Sequence, residues 1–171
     1  MSFVFFIFIP MVAALFIPLL YKKINGIHTG WFALLVPVFL LGVYSTFLPH
    51  VIQGKTYTSS LPWIPSLDIE FISYIDGLSL LFSLLITGIG SLVVLYSIFY
   101  MDKTREQLHN FYVYLMLFMT AMLGIVQSDH LISLYFFWEL TSISSFLLIG
   151  YWYKRDRSRF GALKSMMITV F

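Results

Sequence analysis

Five long apolar stretches alternate with short polar segments along the chain. They occupy residues 3–20, 30–48, 78–101, 110–127 and 131–153. Each is close to the roughly 20 residues that cross the hydrocarbon core of a bilayer. Because lipid offers no partners to backbone polar groups, segments of this kind fold as α-helices. The pattern predicts five full transmembrane helices and the start of a sixth at residues 160–171, which has about half the needed length.

Composition supports the same class of protein. The chain is 60% hydrophobic and 11% charged, whereas soluble domains carry roughly 25% charged residues. We therefore predict an all-α polytopic membrane protein in which residues 1–171 form a single membrane domain. The chain has no cysteine, which excludes iron–sulfur ligation, thiolate zinc sites and disulfides. No glycine-rich phosphate loop is present, and the net charge of +2 is too small to indicate nucleic-acid binding.

One long polar segment, residues 49–77, separates the second and third apolar runs. It combines turn residues with two β-prone pieces, VIQGKTYT and LDIEFISYI. These pieces predict a short β-hairpin on the membrane surface. Asp76 directly precedes the third run and is expected to cap that helix. Within the third run, a stripe of small residues at helical spacing is typical of close helix packing; its members are Ser83, Thr87, Gly90 and Ser91.

Lysine and arginine are distributed unevenly between the two sets of loops. Eight follow the first, third and fifth runs, whereas the opposite loops hold only Lys55. The eight are Lys22, Lys23, Lys103, Arg105, Lys154, Arg155, Arg157 and Arg159. Since cytoplasmic loops are enriched in these residues, we predict an external N-terminus and an external 49–77 loop. The first run precedes its lysines, the reverse of a signal peptide, and is expected to be a retained anchor.

The stretch LYFFWELTSIS places Glu139 deep within the fifth run. Glu139 lies about 12 Å from the outer end of that helix and about 21 Å from the inner end. A glutamate side chain is too short to reach water over either distance. An ionised acid at this depth costs several kcal/mol unless it is paired or hydrated. Intramembrane acids usually serve transport, so Glu139 is the predicted proton-relay residue; a structural hydrogen bond to another helix is the alternative.

Four further residues are weaker candidates. Lys164, about 6 Å into the sixth run, is a potential charge partner of Glu139, although a lysine at that depth can also reach the interface. Ser142, three residues after Glu139, is its potential polar neighbour. In the turn QSDH, Asp129 is expected to cap the fifth helix, and with His130 it is a potential outer mouth for protons. No metal or other cofactor is expected, because no histidine lies deep in an apolar run.

Three segments together resemble one family. They are the run beginning DGLSLLFSLL at Asp76, the run SDHLISLYFFWELTS at Ser128, and RSRFGALKSMMITVF at the end. They are similar to the N-terminal part of the large A subunit of Mrp-type (Mnh) multisubunit cation/proton antiporters, itself related to the proton-pumping membrane-arm subunits of respiratory complex I. The resemblance covers essentially the whole chain, with FWELTS and GALKS as its most specific parts.

The resemblance implies a non-enzymatic transporter component that works with other subunits in the bacterial plasma membrane. Such complexes exchange cytoplasmic Na⁺ for external H⁺, driven by the proton-motive force. The family's functional glutamate matches Glu139, and the lysine of its sixth helix matches Lys164. The family's proton path also requires a lysine on a seventh helix and later charged residues. The resemblance therefore implies that this chain is an N-terminal fragment of the family's large subunit.

Two alternatives remain from the sequence. One is a proton-translocating subunit of a complex I-type NADH:quinone oxidoreductase, which shares the fifth-helix glutamate. The other is a membrane scaffold in which Glu139 only joins helices. The scaffold alternative predicts that Glu139→Gln, which keeps hydrogen bonding but cannot ionise, leaves transport unchanged.

Overall fold

The computed structural model describes residues 3–23, 29–64, 69–101, 108–153 and 155–170. Six α-helices, a two-stranded sheet and one 3₁₀ turn lie within these ranges. In chain order they are α1 Val4–Lys23, α2 Thr29–Ile52, β1 Tyr57–Ile64, β2 Ile69–Ile75, α3 Gly77–Tyr100, α4 Leu108–Gln127, α5 Leu131–Ile149, the 3₁₀ turn Gly150–Trp152 and α6 Asp156–Val170. Several residues of the predicted basic loops lie outside the described residues: Lys103, Arg105 and Lys154.

The predicted helical membrane class is confirmed in its main features. Four described helices are long and apolar enough to cross a membrane: Thr29–Ile52, Gly77–Tyr100, Leu108–Gln127 and Leu131–Trp152. The first predicted run forms helix α1, whose apolar part, Val4–Leu19, is shorter than these four, so a fifth full span stays a prediction. Helix α1 packs against α4 and α2, while α2 packs against α3 and α4 against α5.

The buried side chains form two clusters. The larger one joins five helices and β2, with Ile7, Tyr44, Phe71, Leu123 and Phe137 among its members. The second cluster joins α1, α2, α3 and α4 around residues such as Ala33 and Tyr112. The small-residue stripe of α3 lies at these contacts, since Ser83, Thr87 and Gly90 are buried. The expectation that this stripe is a packing face is thus confirmed.

The predicted hairpin is present, although its first strand begins later than expected. β1 and β2 pair antiparallel, with Tyr57 opposite Ile75 and Leu61 opposite Phe71. Helix α2 continues through Pro49 to Ile52, so half of the β-prone piece VIQGKTYT is helix or turn. The helix ends where Gly54, at φ 82°, donates from its backbone N–H to the Val51 carbonyl. Lys55 donates to the His50 carbonyl, which completes a Schellman-type C-terminus.

A buried polar network ties the hairpin to the helices. The Gln127 side-chain Nε2 donates to the Tyr44 hydroxyl at 2.8 Å and to the Ser83 hydroxyl at 3.0 Å. Its Oε1 accepts from the Ser73 hydroxyl at 3.3 Å. All four residues are buried, so their polar groups need these partners. One amide therefore connects α2, α3, α4 and β2.

Candidate functional site

Glu139 lies near the middle of α5 and is half-buried. It is the only Asp, Glu, Lys or Arg in the four candidate membrane spans of the described chain. Neighbouring hydroxyls on α5 are occupied by their own helix: Thr141 donates to the Phe137 carbonyl at 2.9 Å and Ser142 to the Trp138 carbonyl at 3.4 Å. Such back-bonding satisfies a hydroxyl without a second helix. Within the described residues, the Glu139 carboxylate makes no side-chain hydrogen bond or ion pair.

The rotation of α5 turns Glu139 away from the larger core cluster. Phe137 and Ser133 are buried on the core face of the helix. Two residues of an α-helix turn through about 200°, so Glu139 projects from nearly the opposite side to Phe137. Two side chains one turn away from it are exposed, Tyr135 at 63% and Ile143 at 50%. Ser142, the predicted polar neighbour of Glu139, is buried.

Lys164 is exposed on α6. Helix α6 packs on the end of α5 that follows Glu139, where Ala162 Cβ lies 3.5 Å from the position a Cβ on Gly150 would take. Gly150 is eleven residues beyond Glu139, which is about 16 Å along a helix. Within the ranges the structure describes, no ion pair joins Lys164 to Glu139. The two charges predicted as partners are on adjacent helices but at different levels.

The turn before α5 differs from the predicted cap. The N-cap of α5 is His130, whose Nδ1 accepts from the Ile132 backbone N–H at 3.2 Å. The expectation that Asp129 caps this helix is therefore wrong. The Asp129 backbone N–H instead donates to the Ile72 carbonyl at 3.1 Å, and Ser128 forms an isolated antiparallel bridge with Ser73. Pairing with the edge of β2 holds Asp129 before the helix, with its side chain exposed.

Sequence reasoning misses the residues that hold these elements together. In the apolar pattern Gln127 is only the last residue of a run. Its position next to the polar turn is the one sequence feature that could have indicated a buried polar contact. Gly124, one turn earlier, packs directly against the ring of Phe137. No sequence pattern pairs these two residues, because the contact depends on how α4 and α5 cross.

Among the described residues, no group of three or more His, Cys, Asp or Glu side chains is arranged to hold a metal ion.

Two protein families match parts of the chain. Residues 62–112 match the N-terminus of chain 5 of NADH-ubiquinone oxidoreductase (complex I). Residues 128–171 match the transmembrane family named for NADH:quinone oxidoreductase and Mrp antiporters. The second match contains Glu139 and the other predicted site residues.

Curated relatives are similar over nearly the whole chain. The A subunit of a Na⁺/H⁺ antiporter from Alkalihalophilus pseudofirmus is 57% identical over 162 residues, which is 95% of this chain. The A1 subunit of a Na⁺/H⁺ antiporter from Staphylococcus haemolyticus is 55% identical over 165 residues, or 96% of this chain. The chain is thus similar to the A subunits of Na⁺/H⁺ antiporters. It spans only 20% of the length of either relative.

Two solved structures share the fold of this chain. The Mrp complex from Dietzia sp. matches with a TM-score of 0.79 at 24% identity, covering 97% of this chain and 17% of that one. An archaeal membrane-bound sulfane sulfur reductase, a respiratory membrane complex, matches with a TM-score of 0.82 at 22% identity, covering 95% of this chain and 32% of that one. At this level of identity the two matches establish the fold alone.

Proposed function

We propose that the chain forms part of one subunit of a cation/proton antiporter complex and that Glu139 relays protons through α5. The observation that carries the proposal is a half-buried acid in the middle of an otherwise uncharged membrane helix. The high identity to the A subunits of antiporters supports the same function. In this proposal the chain is a transporter component, and the transported H⁺ and Na⁺ are its substrates.

The surroundings of Glu139 suit a group that exchanges protons. A carboxylate fixed by a permanent ion pair would stay ionised, and one held by several donors would be costly to protonate. Glu139 has no such partner among the described residues, and it is only partly covered. In lipid the neutral form is favoured, and water or a cation reaching this face would favour the anion. The proposed relay therefore requires water or a cation to reach this face during transport.

The orientation in this proposal follows the charge pattern, and the ion exchange follows the similarity to Na⁺/H⁺ antiporter subunits. The N-terminus and the hairpin lie outside a bacterial plasma membrane, and cytoplasmic Na⁺ is exchanged for external H⁺ under the proton-motive force. The exposed Asp129 and the capping His130 then form the outer mouth, at the start of the helix that carries Glu139. The other subunits of the antiporter and the surrounding lipid are the partners.

Lys164 is proposed as a mobile charge partner of Glu139. Its side chain is exposed on α6 and is not tied to Glu139 in the described structure. A cation approaching the acid would favour the anion, and its withdrawal would favour proton uptake. Lys164→Gln is expected to slow transport less than Glu139→Gln, because the lysine acts on the proton carrier and is not the carrier itself.

The test uses everted vesicles that lack other antiporters and contain the complete complex. Na⁺ is added after a pH gradient has formed, and the collapse of the gradient is followed by fluorescence. We expect Glu139→Gln to abolish the Na⁺-induced collapse at unchanged assembly, because the amide cannot bind and release a proton. The matched control is Glu70→Gln on the exposed edge of β2, which is expected to transport normally. Normal transport by Glu139→Gln would reduce this residue to a structural role.

A second candidate function is a proton-translocating subunit of a complex I-type NADH:quinone oxidoreductase. Both matching families carry that enzyme in their descriptions. This candidate predicts that proton movement in vesicles requires NADH and quinone and does not respond to Na⁺. The same vesicles distinguish the two functions when NADH is supplied in place of Na⁺.

A further inference from the structure

The direction of Glu139 depends on how α5 is rotated about its own axis. The hydroxyls of Thr141, Ser142 and Ser144 bond to their own helix, so they do little to fix that rotation. Phe137 is the largest buried side chain of α5, with 1% of its surface exposed. Because Phe137 and Glu139 project from nearly opposite sides, the seat of the phenylalanine ring determines where the carboxylate points.

The seat of this ring is closed on three sides. The Phe71 ring of β2 meets the Phe137 ring edge-on, with centroids 5.5 Å apart, and the Phe8 ring of α1 lies at 6.2 Å. The remaining side is the backbone of α4 at Gly124. A Cβ on residue 124 would overlap three atoms of the Phe137 ring, Cγ, Cδ1 and Cδ2. Since Phe71 and Phe8 pack against the ring as well, it has little room to retreat.

We propose that Gly124 and Phe137 are positioning residues for transport, acting through Glu139 by fixing the rotation of α5. This inference rests on the proposed role of Glu139 in proton relay. Any side chain at position 124 displaces the ring, and α5 turns or shifts with it. Because Phe137 and Glu139 project from nearly opposite sides of α5, the expected effect is on the direction of the carboxylate.

Gly124→Ala in the complete complex tests the inference, and Gly42→Ala is the matched control. Both glycines lie inside helices, where alanine is intrinsically favoured by about 1 kcal/mol. A Cβ on Gly42 would meet nothing within 4 Å. We expect Gly124→Ala to lower transport at saturating Na⁺ by up to about 100-fold, the scale of a small misplacement of a reacting group. The Na⁺ concentration for half-maximal rate should change little, and Gly42→Ala should leave both quantities unchanged.

A second readout reports the direction of residue 139 without transport. These 171 residues contain no cysteine, so Glu139→Cys introduces a thiol whose reaction with a small maleimide can be read from the peptide that contains position 139. We expect Gly124→Ala to change the labelling rate at position 139 several-fold, and Gly42→Ala to leave it unchanged. Adding Phe137→Leu to Gly124→Ala makes room for the new methyl group and should restore the original rate.

The outcomes separate the inference from the function on which it rests. If Glu139→Gln transports normally, the proposed function fails, whereas the labelling still reports whether Gly124 sets the rotation of α5. An unchanged labelling rate in assembled Gly124→Ala overturns the inference. If Gly124→Ala does not assemble, the double variant with Phe137→Leu must restore both assembly and labelling. Its failure to do so would also overturn the inference.

Discussion

The carboxylate of Asp76 closes the N-terminus of α3 by a reciprocal pair of hydrogen bonds. Its Oδ1 accepts from the Ser79 backbone N–H at 2.8 Å, and the Ser79 hydroxyl accepts from the Asp76 backbone N–H at 2.8 Å. This capping box satisfies two backbone donors that the helix itself leaves without partners. The bond from Ser79 also lowers the pKa of Asp76, because it favours the charged carboxylate.

Asp76→Ala is expected to destabilise the protein by about 1 kcal/mol at neutral pH, the usual cost of a lost N-cap. The pKa of Asp76 is lower in the folded protein than in the unfolded chain, where it is about 3.9. The charged carboxylate therefore stabilises the folded state at pH values above the unfolded-state pKa. The contribution of the charge disappears as the pH falls through the folded-state pKa. Asn also caps helices but does not titrate. The difference in the free energy of unfolding between wild type and Asp76→Asn should therefore shrink below about pH 4. Thermal stability of the solubilised complex between pH 3 and 7 measures this difference; a constant difference would contradict it.

Single residues show what sequence reasoning can and cannot provide. The Asp76 cap is predictable because it depends on neighbours in the chain. The depth of Glu139 is predictable from the 1.5 Å rise per residue. Its direction is not, because it depends on the contact between Gly124 and Phe137. The sequence favours Asp129 as the cap of α5 because strand pairing with Ile72, 57 positions earlier, leaves no local trace.

At the scale of elements, the hairpin is held to the turn between α4 and α5 by backbone pairing. β2 pairs with β1 along one edge, and its other edge meets Ser128 and Asp129. Phe71 then carries the contact into the larger core cluster, where it packs on Phe137. The hairpin is therefore part of the packed structure that positions α5.

A disulfide test addresses this docking directly. Cα atoms of residues opposed in antiparallel pairs lie about 4.5 to 5.5 Å apart, within the range that disulfides span. Ser73→Cys with Ser128→Cys is expected to crosslink under mild oxidation. In the control, Ser59→Cys with Ser128→Cys, Ser59 lies on the far side of β2, roughly 9.5 Å from Ser128 at two strand spacings. Peptide mass after digestion detects the bond, and equal crosslinking of both pairs would mean that the hairpin is not docked as described.

Element types are more predictable than element boundaries. The apolar runs predict the five apolar helices because lipid allows few other structures. Helix α2 extends beyond its predicted end at residue 48, because Pro49 removes only one backbone hydrogen bond. The helix ends at the Schellman-type motif around Gly54. Helix α6 starts at Asp156, four residues before residue 160, with Asp156 in its first turn. An acid there favours a helix start, a signal that an apolar count ignores.

Across the whole molecule, the distribution of basic residues predicts one orientation in the membrane. Lys55 follows α2 on the side of the hairpin, whereas Arg155, Arg157 and Arg159 lie between α5 and the apolar part of α6. Three candidate membrane spans, α3, α4 and α5, lie in the chain between Lys55 and Arg155. Three crossings by these helices would place the two sets of charges on opposite sides of the membrane, as the predicted orientation requires.

The orientation can be tested with cysteines placed in these 171 residues, which contain none, by following the labelled peptide. In intact cells, Lys55→Cys should react with a membrane-impermeant maleimide and Arg157→Cys should not. In everted vesicles the pattern should be reversed. Both side chains are exposed, so unequal burial does not explain a difference. Labelling of Arg157→Cys in intact cells would reverse the assignment and place the hairpin in the cytoplasm.

The hairpin packs against residues that are synthesised much later in the chain, which has a consequence for biogenesis. Ser73 and its partner Gln127 are 54 residues apart, which a ribosome needs roughly 3 to 11 seconds to synthesise at about 5 to 20 residues per second. During that interval the hairpin has been synthesised while α4 and the turn after it are incomplete. The free edge of β2 is then open to pairing with other chains. Insertion of α4 and α5 closes that edge, so prompt delivery of these two helices protects the nascent chain from aggregation.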